Sequence, residues 1–167
     1  MESKAPTPHD DFFFDLRGYL ILENAVEPEL LDDLNRAFDN FPELESGKWW
    51  GNAQRRDYTK DTGFELHNCV EAGEPFERLI DYPGWFAKVK HFVGGERTFD
   101  WHHGPIFIDE NFANLRGPGE AIGLHSGGYA GVKRNQFRYH NGRFQCGQVN
   151  ILTVSYTHLT LPTICSV

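Results

Sequence analysis

The chain has 167 residues, of which 40% are hydrophobic and 14% aromatic, enough apolar material for a packed core and too much for a disordered segment. This length suits one domain or a piece of one, with no room for two. A formal net charge of −8 argues against nucleic acid or an anionic membrane surface as a partner. No stretch reaches the ~20 apolar residues of a membrane span, and the N-terminus lacks the apolar core of a secretion signal.

In chain order, residues 1–10 (MESKAPTPHD) form a polar, proline-containing lead that is expected to be loose. Phe12, Phe13, Phe14 and Leu16 follow, before Arg17-Gly18. Tyr19-Leu20-Ile21-Leu22 reads as a short buried strand. Pro28 suits the first turn of a helix, with Glu27 and Glu29 near its positive end. Leu30, Leu31, Leu34, Ala37, Phe38 and Phe41 then recur at helical spacing until Pro42. Residues 43–74 are rich in Gly, Asp and Glu and read mostly as loop, with Trp49 and Trp50 as loop anchors or lid residues. Phe76, Leu79 and Ile80 suggest a short helix. Pro83 opens another, striped by Trp85, Phe86, Val89, Phe92 and Val93 and ended by Gly94-Gly95.

Beyond this point the pattern changes to strands. Residues 97–101 and 105–109 are expected to be extended, followed by a glycine-rich loop to Gly123. Asn141-Gly142, between Phe137-Arg138-Tyr139 and Arg143-Phe144-Gln145, is a strong signal for a two-residue hairpin. Val149 to Thr153 reads as a buried strand whose open edge would promote aggregation. Helices first and antiparallel strands second predict an α+β protein with an incomplete sheet.

Val154 to Thr163 reads VSYTHLTLPT, which resembles the translation of a transposase adapter used to build sequencing libraries. Residues 154–167 are therefore expected to be a non-native tail, and His158 is left out of the site. The natural protein is expected to continue past Leu152. Setting Cys165 aside with the tail, Cys69 and Cys146 have no tight spacing. They indicate neither a disulfide framework nor a zinc cluster, and point to a reducing cytoplasm.

Individual residues suggest chemistry. His125 lies in Gly123-Leu124-His125-Ser126-Gly127-Gly128, where flanking glycines let backbone approach a bound ion. His102 and His103 would point to opposite faces of a strand, so one could line a pocket while the other meets solvent. Arg134, Arg138, Tyr139, His140 and Arg143 flank the hairpin, as a solvated surface or as a hold on an anionic ligand. Cys146 reads as core packing.

Arg17-Gly18-Tyr19-Leu20-Ile21-Leu22 with Pro28-Glu29-Leu30-Leu31, then Leu124-His125-Ser126-Gly127-Gly128, Tyr139-His140-Asn141-Gly142 and Gly147-Gln148-Val149-Asn150, together resemble the phytanoyl-CoA dioxygenase family. These are iron(II)- and 2-oxoglutarate-dependent oxygenases, and the likeness covers about residues 11–153. The resemblance implies a partial dioxygenase domain whose N-terminal helices pack outside an incomplete double-stranded β-helix, a jelly roll of the cupin-like kind. It implies Fe(II), held by two imidazoles and one carboxylate, with 2-oxoglutarate and O2 taking the remaining positions. A small organic substrate would be oxidised. His125 matches the first ligand of the family, but Gly127 stands where the family has its carboxylate. Asp109 and Glu110 are the nearest acids that could replace it, or an acid lies further downstream. A small residue there also fits the family's halogenating members, and a chain without the metal would be a non-catalytic binding protein. Asn150 would contact 2-oxoglutarate, while His103, Arg138 and Tyr139 would line the substrate site. The second histidine, and the arginine that would pair with 2-oxoglutarate, belong downstream.

Overall fold

The computed structural model describes residues 5–59, 63–94, 101–102, 104–116, 136–154 and 164–166. The described elements are a mixture of α-helices and antiparallel strands, the α+β class that the sequence predicts. They gather into two compact units, each described by itself below.

The first unit contains helix α1 (Pro8–Arg17), strand β1 (Tyr19–Ile21), helix α4 (Phe86–Phe92) and the hairpin of β6 (Arg138–His140) and β7 (Arg143–Gln145). α1 begins inside the lead that was expected to be loose. Thr7 and Asp10 form a capping box, in which Asp10 N–H donates to the Thr7 hydroxyl (3.2 Å) and Thr7 N–H donates to the Asp10 carboxylate (2.9 Å). The helix ends at Gly18, whose φ of 77° lets its N–H turn back to the carbonyl of Phe14. α4 starts at Phe86, three residues after Pro83, because residues 83–85 form a turn instead.

This unit's core is an aromatic stack. Phe14 lies parallel to Phe92 at 3.9 Å between ring centres, and Phe144 stacks at 5.9 Å on each. Buried Cys146 joins them, with Leu20 and Val149 packed around. The N–H of Cys146 donates to the carbonyl of Phe92 (2.8 Å), which fixes the hairpin's exit on the end of α4. Asn141 and Gly142 both have positive φ, 52° and 74°, as the predicted two-residue turn requires. Pro8–Arg17 is tied to α4 by Lys88 on Asp10 (2.8 Å) and His91 on Asp11 (2.7 Å).

Two strand expectations are corrected. Residues 105–109 form a turn and irregular chain, not a strand; Pro105 offers no backbone donor to a ladder. Val149 to Thr153 is not a strand either: no described strand pairs with it, so its backbone has no ladder to join. The open edge foreseen there is thus absent among the described residues. β1 forms where expected but is half-buried to exposed, with Ile21 at 40%. Its antiparallel partner is β8 (Ile164–Ser166), from the stretch read as non-native tail.

The second unit holds helix α2 (Pro28–Asp39), a sheet in the order β2 (Trp49–Trp50), β3 (Ala53–Thr59), β4 (Gly63–His67), β5 (Phe112–Arg116), and α3 (Glu74–Glu77) after a 3-10 turn (Cys69–Ala72). α2 follows the predicted spacing and buries Leu30 and Leu34. Residues 43–74, expected as loop, instead supply three of the four strands. β5 likewise lies in what was read as a glycine-rich loop. α3 is a single turn that stops before Leu79.

Register decides which side chains share a face, since residues directly opposite across antiparallel strands point the same way. Phe64 and Leu66 face α2. Leu66 and Ala53 are fully buried, Phe64 stacks on Phe38 at 5.4 Å, and Trp50 meets Phe41 edge-on. Arg55 covers the Phe64 ring at 4.4 Å and pairs with Asp57 at 2.8 Å. Asn111 clamps the far end of the sheet. Its carbonyl accepts from Asn68 N–H (3.0 Å), and its side-chain oxygen accepts from Val70 N–H (3.1 Å).

Candidate functional site

The opposite face of this sheet carries the chemistry. Alternation along β4 sends Phe64 and Leu66 to the helix and Glu65 and His67 to the other side. On that side the register places Trp49, Gln54, His67 and Phe112 in one row across all four strands. The neighbouring row is Arg56, Glu65 and Asn114, with Arg116 beyond it opposite Gly63. None of these residues is buried. Trp49 (56%) and Phe112 (43%) stand exposed at the two ends.

At the centre, Glu65 Oε2 and His67 Nε2 are 2.7 Å apart, with side chains only 17% and 16% exposed. An ionised carboxylate can only accept, so in this contact Nε2–H of His67 donates to Glu65. The His67 ring also lies 5.8 Å from Phe112. Arg56 Nε donates to the Gln54 side-chain oxygen at 3.0 Å, orienting the amide between imidazole and indole. The arrangement can hold a ligand through planar donors and acceptors flanked by two aromatic rings.

The residues singled out in the sequence fall elsewhere. His125, Gly127 and His103 lie outside the described residues, as does Arg134. Asp109 and Glu110 are exposed neighbours just before β5, in the unit that carries the sheet. Arg138, Tyr139 and Asn150 belong to the other unit. The first two are exposed on the hairpin, as a solvated surface would be, with Tyr139 at 63%. Asn150 is exposed on irregular chain, not on the strand expected to line a barrel. Trp101 and His102 are exposed in a turn. Among the described residues, no group of three or more His, Cys, Asp or Glu side chains is placed to hold a metal ion.

The Cys69 and Cys146 thiols do not contribute to this face. Both are free and buried; burial pushes each up to about 11, partly offset at Cys69 by backbone hydrogen bonds. The Glu65–His67 pair was missed in the sequence because Arg55, Arg56 and Asp57 mask the strand before it. The signal was the alternation Phe64-Glu65-Leu66-His67.

No family model, curated protein or solved structure matches the chain. Among the described residues, no helix is long and apolar enough to cross a membrane.

Proposed function

We propose that this chain is the N-terminal part of a cytoplasmic non-haem iron(II)/2-oxoglutarate-dependent oxygenase of the phytanoyl-CoA dioxygenase type. Its parent would oxidise, most simply by hydroxylating, a small organic substrate. The antiparallel strands would then belong to an incomplete double-stranded β-helix with helices outside. The observation that carries the reading is the one-sided sheet: α2 packs on one face, and the other presents the Glu65–His67 pair among planar polar groups. Such a division suits a barrel wall with an outside and a ligand-facing inside. The motif set around Arg17-Gly18 and His125 supports it from the sequence.

In this reading His125 is one iron ligand, and the carboxylate comes from Asp109, Glu110 or the parent's further sequence. One identified ligand cannot hold iron(II), so the chain as it stands is expected to be inactive. When bound, iron with 2-oxoglutarate and O2 supplies the oxidant that removes hydrogen from an unactivated carbon. The chain's own part is to seat the substrate and exclude water. Gly127 favours two further readings: a halogenase-like member with room for halide, or a jelly-roll binding protein without the metal. Product analysis with chloride and 2-oxoglutarate separates the first, since hydroxylated product alone excludes it.

Extending the reading frame past Leu152 in the source DNA tests the proposal. It predicts a histidine and, about ten residues on, an arginine, the missing ligand and the partner of 2-oxoglutarate. A frame with neither supports the binding protein instead.

A further inference from the structure

In the first unit, α1 and β1 border an open cavity of about 370 Å³, lined by His9, Phe13 and Arg17 from the helix and by Tyr19, Leu20 and Ile21 from the strand. Positions 9, 13 and 17 recur every four residues and so form one stripe along α1. Phe13 stands in its middle. His9 meets the ring edge-on at 4.5 Å, and the Arg17 guanidinium covers it at 4.1 Å. Stacking uses the flat face of a guanidinium and leaves its in-plane N–H groups able to donate. Among the described residues, no carboxylate or carbonyl takes them up. Asp10 also reaches the cavity, but its carboxylate is already held by Lys88 and by the N–H of Thr7. The cavity therefore has apolar walls and, at the Gly18 end, a cation with unused donors.

The strand beside this cavity also shows what its edge accepts. β8 lies antiparallel on β1, with Tyr19 opposite Ser166, Leu20 opposite Cys165 and Ile21 opposite Ile164. β8 comes from the stretch that reads as foreign in the sequence, so on that reading main-chain hydrogen bonds alone suffice to seat a strand here. Direction then matters. Antiparallel pairing runs the added strand towards Gly18, and a strand one residue longer in this register ends opposite Gly18, next in sequence to Arg17. If that residue is a peptide's last, it brings a carboxylate to a guanidinium whose N–H groups are unused, and such groups pair bidentately. We infer that the β1 edge and the adjoining cavity form a docking site for the C-terminal segment of an extended peptide. The peptide backbone adds to β1, its terminal carboxylate goes to Arg17, and an apolar side chain enters between Phe13 and Ile21. The site uses none of the proposed iron ligands, so it stands or falls apart from the oxygenase reading.

The test uses the full chain with its own strand displaced by Ile164→Pro and Cys165→Pro together, since two successive prolines remove whichever N–H the ladder needs. A fluorescent peptide of residues 160–167 ending in a free carboxylate is titrated by polarisation, alongside the same peptide amidated at its C-terminus. Saturable binding of the free acid is expected, with the amide about tenfold weaker for want of the charge-assisted pair. Arg17→Gln should weaken the acid about tenfold, to the level of the amide, and leave the amide unchanged. Arg36→Gln, on α2 in the other unit, should change neither. Circular dichroism confirms that each variant is folded. The unsubstituted chain should show the same preference for the acid at higher peptide concentration, because its own strand competes for the edge. The proposal is overturned if acid and amide bind alike, if Arg17→Gln leaves acid binding unaltered, or if neither peptide binds.

Discussion

Asp10 carries two arrangements at once, the cap of α1 and the ion pair with Lys88 on α4. Burial by itself would raise its pKa. The hydrogen bonds from Lys88 and Thr7 and the Lys88 charge outweigh that and hold the carboxyl below its ordinary value. A depressed carboxylate contributes stability above its unfolded pKa and loses it as pH falls through the folded value. Asp10→Asn should therefore cost about 1 kcal/mol near neutral pH, a loss of cap and pair together. That corresponds to a drop in Tm of about 2–4 °C. The gap to the unsubstituted chain should narrow as pH falls below the ordinary carboxylate range and close only below Asp10's own lowered value, where both carry a neutral side chain. A gap that stays constant across a pH series of melting curves would show that the charge plays no part. The same residue shows what local sequence makes readable. Thr7-Pro8 with Asp10 spells out a helix start, yet polarity made the stretch look loose, because composition speaks to burial and not to capping. Asn141-Gly142 was legible since positive φ at two successive positions selects those residues directly.

Among the elements, the β4–β5 ladder decides whether the candidate face exists. Gly63, at φ 122°, lies against the backbone of β5, and a Cβ there would sit 1.8 Å from the carbonyl oxygen of Leu115. Nothing flexible can move aside, so Gly63→Ala should separate the ends of the two strands. A loss of about 2 kcal/mol or more is expected, from strain and broken ladder bonds together. Amide hydrogen exchange should speed up at residues 63–67 and 112–116 while α1 and α4 keep their protection. Unchanged protection in β5 would contradict the close approach. Helices with a regular apolar stripe, such as α2, were legible because one side packs and the other is wet. The strands of residues 49–67 were not, because Arg55 and Asp57 face the helix side as a pair over Phe64, where a simple pattern demands apolar residues. Val149 to Thr153 failed the other way. Its apolar run packs Val149 into a core without any strand pairing it, and periodicity cannot report on a missing partner.

For the molecule as a whole, the sequence conveyed the α+β class, while the division into two units depends on contacts between distant segments that no local pattern encodes. The site was legible only in part. His125 was picked out by its glycine-flanked setting and a family likeness, whereas the Glu65–His67 pair arises from register, which becomes visible only once the strands are aligned. The polar face opposite the helix-covered one and the His125 motif of the sequence are the two supports of the proposed reading, a ligand-binding wall of an iron-dependent oxygenase. The most direct measurement is succinate release by the intact parent protein, supplied with Fe(II), 2-oxoglutarate and O2, alongside its His125→Ala variant. The account predicts steady succinate formation by the parent and background levels from the variant. Equal rates from both, or no 2-oxoglutarate turnover by the intact parent, would contradict it.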